Sequence, residues 1–147
     1  MFTKKDKKMK QELKDLLYKD LCNKLPYGVK VYIEDSNVSL LANDISMIDS
    51  NYRVYPEGST IGYDIDADGV KPYLFPLSSM TEEQKAEYAR LQDIFLLSSL
   101  LPVTGAHELF DWCDKNFLDY RGLIPKGLAL DATDLNIYIL TKIKESW

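Results

Sequence analysis

From about Lys5 to Leu25 the apolar residues Met9, Leu13, Leu16, Leu17, Leu21 and Leu25 recur at steps of three and four. That spacing predicts an amphipathic helix, which Pro26 and Gly28 end. The period then falls to two. In GVKVYIE, Val29, Val31 and Ile33 alternate with polar or amphipathic neighbours, and after the turn DSN the alternation resumes in VSLLA, with Val38, Leu40 and Ala42 on one face. Further short strands are predicted over 45–48, 52–55, 60–65 and 70–74, separated by the turn formers DSN, PEG and DADG.

A helical period returns at Thr81. The threonine followed by Glu82, Glu83 and Gln84 reads as a capping box. It opens a helix over about 82–100 that buries Tyr88, Leu91, Ile94, Phe95 and Leu97 or nearby positions. Pro102 ends that helix and Thr104 caps another, whose apolar face is Ala106, Leu109, Phe110, Cys113 and Phe117. Gly122, Pro125 and Gly127 forbid a regular element in the next stretch, so its apolar residues must cover the core as an irregular arm. LNIYIL reads as a strand by its β-branched content and as a helix by the spacing of Leu135, Ile139 and Ile143; the helix is the favoured reading.

These elements predict a single α+β domain over 1–147. Its parts are an N-terminal helix over 1–27, a small bent antiparallel sheet or SH3-like barrel over 28–76, and C-terminal helices with an irregular arm over 77–147. A chain of 147 residues holds one ordinary core, and a composition of 46% hydrophobic and 28% charged residues is that of a globular protein. The N-terminus runs from lysines directly into the amphipathic pattern without a secretory apolar segment, which predicts a cytoplasmic location. No membrane partner is expected, because the longest apolar run, IFLLSSLL, is too short to span a bilayer.

The net charge of −5 conceals an asymmetry. Residues 1–10 hold five lysines and one aspartate, which is +4 and leaves −9 on the rest. An acidic body repels a phosphate backbone, so binding to nucleic acid would rest on Lys4, Lys5, Lys7, Lys8 and Lys10 alone. Two cysteines, Cys22 and Cys113, at apolar helical positions and a lone histidine argue against a Cys/His zinc site.

DIDADG is the stretch that most resembles a chemical motif. Asp64, Asp66 and Asp68 with Gly69 match the first half of an EF-hand loop, but position 12 is Phe75 where a bidentate glutamate belongs, position 9 is Pro72, and prolines and glycines deny both flanking helices. The favoured reading is an acidic turn in which Asp68-Gly69 supplies positive φ; a weak metal site at Asp64, Asp66 and Asp68 is the alternative. His107 and Asp111 lie four apart on a helix, which could begin an acid–base pair, but no nucleophile completes it, since Cys113 is turned about 120° away.

Two groups are candidates for binding. Asp119, Tyr120 and Arg121 sit in the irregular arm, and tyrosine and arginine are frequent interface anchors; the alternative is that Asp119 pairs with Arg121 or caps the loop backbone. Tyr52, Tyr55, Tyr63 and Tyr73 fall in the predicted sheet, where an exposed aromatic face would take an extended peptide, although strand propensity also accounts for them.

Three blocks, DLCNKLPYGVKV, VKPYLFPLSSMTEEQKAEY and FDWCDKNFLDYRGLIPKGLALDA, resemble blocks shared by a set of small proteins from gut anaerobic bacteria and their mobile elements and phages. The set has no assigned activity, so the resemblance implies membership and a mobile-element setting without a mechanism. Those relatives carry an ordinary acidic-apolar strand in place of DIDADG and end soon after G-L-A-L. The resemblance therefore speaks against a shared calcium site and makes the tail from Asp134 peculiar to this chain. The expected function is non-catalytic interaction, with a protein partner and no cofactor, as an accessory factor of a phage or mobile element. A nucleic-acid module acting through the lysine-rich N-terminus and an enzyme with a dispersed carboxylate or metal site are the alternatives.

Overall fold

The computed structural model describes residues 9–49, 51–98 and 105–138. Lys4, Lys5, Lys7 and Lys8, the stop at Pro102, the cap at Thr104, the helix through Ile139 and Ile143 and the side chain of His107 lie outside the described residues. The fold is α+β. Helix α1 (Gln11–Lys24) forms inside the expected span but starts after Met9 and Lys10, and it runs into a single 3-10 turn, Leu25–Tyr27, that Gly28 closes at φ +83°.

Six strands follow, with β1 (Lys30–Ile33), β2 (Val38–Ile48), β3 (Asn51–Pro56), β4 (Tyr63–Asp64), β5 (Val70–Leu74) and β6 (Leu130–Asp131) in the order β4-β3-β2-β1-β5-β6. The two strands expected over 38–42 and 45–48 are one. A bulge between Ala42 and Asp44 lets β2 pair first with β1, Val31 opposite Leu40, and then with β3, Ile45 opposite Val54. The strand expected over 60–65 shrinks to two residues because the Ser59 hydroxyl binds the backbone of Ile61 and holds that segment in a turn.

The SH3-like barrel is not formed: the sheet is open and mixed. Its edge strands, β4 and β6, have two residues each and stand at opposite ends, and β6 joins β5 in parallel where an all-antiparallel sheet was expected. Pro72 is tolerated inside β5 because β6 pairs only with Tyr73 and Leu74, beyond the missing amide hydrogen.

Helix α1 covers one face of the sheet, where Leu17 and Leu21 meet Val31, Ile33, Val54 and Leu74. A second apolar cluster joins Leu91 of α2 (Glu82–Ser98) to Leu109 and Cys113 of α3 (Gly105–Lys115) and to Leu118. The capping box forms as the sequence reads: the Gln84 amide donates to Thr81 Oγ1 at 3.1 Å and the Thr81 amide to Gln84 Oε1 at 3.0 Å. Leu97, expected to be buried, is more than half exposed near the end of α2.

The arm after α3 is fastened to the sheet rather than free. The Phe75 amide donates to the Phe117 carbonyl and the Asp119 amide to the Phe75 carbonyl, both at 2.8 Å, so the chain entering DYRG runs parallel to the end of β5. That attachment brings residues 119–124 beside the C-terminal turn of α1.

Candidate functional site

The four sheet tyrosines do not share an exposed face. Tyr52 and Tyr73 are buried at 6% exposure, which removes them from any peptide-binding surface. The Tyr52 ring stacks on Tyr18 at 4.2 Å and its hydroxyl donates to Asp15, a hydrogen bond that holds the Asp15 carboxyl below the usual range. The Tyr73 hydroxyl is 2.6 Å from Ser39 Oγ. Tyr55 and Tyr63 are half-buried, and the Tyr55 ring lies on Gly62, 2.7 Å from where a Cβ would stand. Strand propensity accounts for the position of these rings, and the main core takes up Tyr52 and Tyr73.

In DIDADG the carboxylates serve the chain's own amides. Asp64 Oδ1 accepts from the amides of Asp66 and Ala67, Asp68 Oδ2 accepts from the amide of Asp64, and Asp66 accepts from the amide of Met9 and lies 3.6 Å from Lys14 Nζ. Of the pair expected to take positive φ, only Gly69 does, at +67°, with the Glu34 side chain packed against it. The geometry is that of a self-capped acidic turn.

The DYRG residues separate into two roles. Asp119 is buried, and its two carboxylate oxygens accept from the amides of Leu123 and Ile124 at 2.7 and 2.8 Å, so it builds the arm. Asp119→Ala strands both amides beside a buried leucine, and since a hydrogen bond to a charged acceptor contributes about 1.5–3 kcal/mol, we expect a loss of at least about 2 kcal/mol in urea unfolding. A loss below about 0.5 kcal/mol would mean that the arm holds without it.

Arg121 reaches in the other direction, into a set of charges that no segment of sequence displays whole. Asp20 and Lys24 lie four apart on the face of α1 that also carries Leu17 and Leu21, and both side chains are fully buried. Lys24 Nζ donates to Asp20 Oδ1 and, at 3.0 Å, to Asp114 Oδ1 of α3. Arg121 Nη1 donates to Asp20 Oδ1 at 2.7 Å. The Tyr120 hydroxyl donates to Asp114, 3.0 Å from Oδ1. The Arg121 guanidinium lies 4.5 Å from the Tyr120 ring centre and Lys24 Nζ 4.9 Å from it.

Two carboxylates and two cations thus meet at the junction of α1, α3 and the arm, and their charges cancel. Cancellation does not remove the cost of burial: desolvation pushes the Asp20 carboxyl up against the opposing pull of Lys24 and Arg121. Burial, then the neighbouring Asp114 carboxylate, also pushes the Tyr120 hydroxyl up. Asp20 Oδ2 is buried without a hydrogen-bond partner.

Outside this charge set the surface opens into a cleft of about 410 Å³, twice the roughly 200 Å³ hollow beside the DIDADG turn. Lys19 and Asn23 of α1 line one side, Phe110, Asp111 and Asp114 of α3 another, and Tyr120 and Arg121 of the arm the rest. Phe110 is 39% exposed although its ring lies 5.3 Å from Tyr120 and 5.6 Å from Phe95. Sequence reasoning found Tyr120 and Arg121 and missed Asp20, Lys24 and Asp114. The one available signal was the four-residue spacing of Asp20 and Lys24, which also describes an ordinary surface pair.

The fold and site together define an α+β protein with an open mixed sheet and a charged, aromatic cleft where its first helix meets its third. No family model, curated protein or solved structure matches the chain. Among the described residues, no helix is long and apolar enough to cross a membrane.

Proposed function

We propose that the protein is a non-catalytic interaction or modulator protein that binds another protein through the cleft between α1, α3 and the arm, as an accessory factor of a phage or mobile element. The observation that carries the reading is the exposure of Phe110 beside Tyr120 and Arg121 on a rigid support. An exposed aromatic next to an arginine held by a buried partner is the composition of an interface anchor. Behind the cleft, Lys24 engages both carboxylates, and groups so engaged fix the shape of the wall. The mobile-element setting comes from the three sequence blocks. Two of them supply this junction, Asp20 and Lys24 from the first and Asp114, Tyr120 and Arg121 from the third.

The test is co-purification of a tagged chain from a gut anaerobic host, with and without nuclease, comparing the unaltered chain with Phe110→Ala and Lys19→Glu. A stoichiometric protein that survives nuclease and falls at least about tenfold with Phe110→Ala is the expected result, since truncating an interface anchor costs 2 kcal/mol or more. Equal capture by both variants would move the interface elsewhere. Recovery of nucleic acid alone would favour the lysine-rich N-terminus.

A second reading, an enzyme with a dispersed carboxylate site, is favoured by one observation: Asp20 and Asp114 come from distant segments and are joined through Lys24 behind the cleft, where Asp114 reaches its wall. It requires a turnover that Asp114→Asn abolishes while the chain stays folded.

A further inference from the structure

We propose that the cleft recognises a carboxylate on its partner, the anion meeting the open edge of Arg121 together with Lys19 while an adjoining apolar group rests on Phe110. This rests on the reading of the cleft as the binding surface and names the chemistry that fills it. Arg121 uses Nη1 on Asp20 at 2.7 Å, and its guanidinium lies over the Tyr120 ring. Its Nε and Nη2 hydrogens have no protein acceptor among the described residues. Neither nitrogen is a buried orphan, because Asp20 Oδ2 alone among the described side chains has that status. The 11% of the side chain left exposed therefore includes this donor edge, and Arg121 lines the cleft.

A guanidinium edge of two parallel N–H donors fits the two oxygens of a carboxylate. The edge is also held in advance, by the ion pair on one side and the tyrosine ring beneath, so little freedom is lost on binding. Lys19 Nζ has no acceptor among the described residues and lines the same cleft. Asn23, one turn further along α1, adds a side-chain amide in the same position.

The negative groups set the charge of the ligand. Both oxygens of Asp114 accept from Tyr120, and Oδ1 also from Lys24, while Asp20 Oδ1 is held by Lys24 and Arg121. Asp111 is the exposed carboxylate left at the rim. The buried set cancels and Lys19 is balanced by Asp111, so the cleft carries no net charge and its one open donor edge matches a monoanion better than a phosphate dianion. The Phe110 ring beside that edge calls for an apolar neighbour on the ligand, such as a hydrophobic C-terminal residue or an acidic side chain next to one.

The test titrates the full-length, isotope-labelled chain with N-acetyl-phenylalanine, with its amide and with inorganic phosphate, following the Arg121 Nε–H and the Phe110 and Tyr120 amides by NMR. N-acetyl-phenylalanyl-glutamate amide, which carries only a side-chain carboxylate, separates the two carboxylate sources, and saturable binding of either acid supports the proposal. The expected result is saturable shifts with the free acid at millimolar concentration, and binding at least about tenfold weaker for the amide and for phosphate, a factor of ten being about 1.4 kcal/mol. Lys19→Ala, which leaves the buried pairs intact, is expected to weaken the acid severalfold without moving the melting temperature, and Arg121→Lys to weaken it further. Equal binding of acid and amide, stronger binding of phosphate, no shifts with either acid, or indifference to Lys19→Ala would each overturn it. Loss of the protein partner with Phe110→Ala while acid and amide bind alike would sink the carboxylate and leave the interaction reading standing. Retention of the partner with Phe110→Ala would sink that reading, and the titration still decides the ligand chemistry.

Discussion

Replacing Lys24 with methionine is expected to cost about 3–5 kcal/mol of folding stability at pH 7. Among the described residues Lys24 is the cation that hydrogen-bonds both Asp20 and Asp114; without it, Asp20 keeps only Arg121 and Asp114 only the Tyr120 hydroxyl and an Arg121 nitrogen at 3.8 Å. Breaking a buried ion pair from one side costs in this range because the charge left behind keeps its desolvation penalty and loses its compensation. Methionine retains most of the lysine stem, so the packing of α1 is little disturbed and the loss reports charge. Urea unfolding followed by circular dichroism measures it, and a loss under about 1 kcal/mol would mean that water reaches the junction.

The penalty also has a predictable pH dependence. Burial already raises the Asp20 carboxyl, and removal of its nearest cation raises it further. A carboxyl whose folded pKa lies above its unfolded value contributes stability that is full below the unfolded pKa and is lost as pH rises through the folded one. Lowering the pH from 7 towards 5 is therefore expected to shrink the gap between Lys24→Met and the unaltered chain. Asp15 runs in the opposite sense. The Tyr52 hydroxyl holds its carboxyl low, so its contribution is present above the unfolded pKa and is lost as pH falls through the folded one.

The same junction shows what a sequence can and cannot display. Leu17 and Leu21 announce the buried face of α1 because apolar spacing is a local signal, and Thr81 to Gln84 announce the start of α2 because a capping box is complete within four residues. Lys24 gives no such signal. It becomes a core residue only because Asp114, ninety positions away, is brought against it by α3, and because the Phe75–Leu118 bridge turns the arm back towards α1. The strands fared similarly. Val70–Leu74 was legible as a short strand set off by the turn former DADG, whereas the continuity of β2 depended on a bulge, and the openness of the sheet depended on how few residues β4 and β6 could offer. Tyr52 and Tyr73 were legible as strand residues and illegible as core, since propensity does not say which face a helix will cover.

Tyr138 carries the second large expected effect. This residue is buried and closes the seam between β1 and β5. Its ring stacks on Phe117 at 4.1 Å and 11°, its hydroxyl accepts from the Lys30 amide at 2.9 Å, and it donates to the Tyr73 carbonyl at 2.9 Å. Tyr138→Ala removes an aromatic from a filled site and is expected to cost about 3–5 kcal/mol. Tyr138→Phe keeps the stack but strands the Lys30 amide and the Tyr73 carbonyl, at about 1–3 kcal/mol. Ending the chain at Leu135 removes this ring and also the Ile137 carbonyl that accepts from Lys30 Nζ, so it is expected to cost at least as much as Tyr138→Ala. The three variants, unfolded in urea side by side, separate ring from hydroxyl from segment. A truncated chain as stable as the full one would show that the arm closes over β1 and β5 without Tyr138. A truncated chain that unfolds more readily would mean that the segment after Leu135 supplies part of the core over β1 and β5.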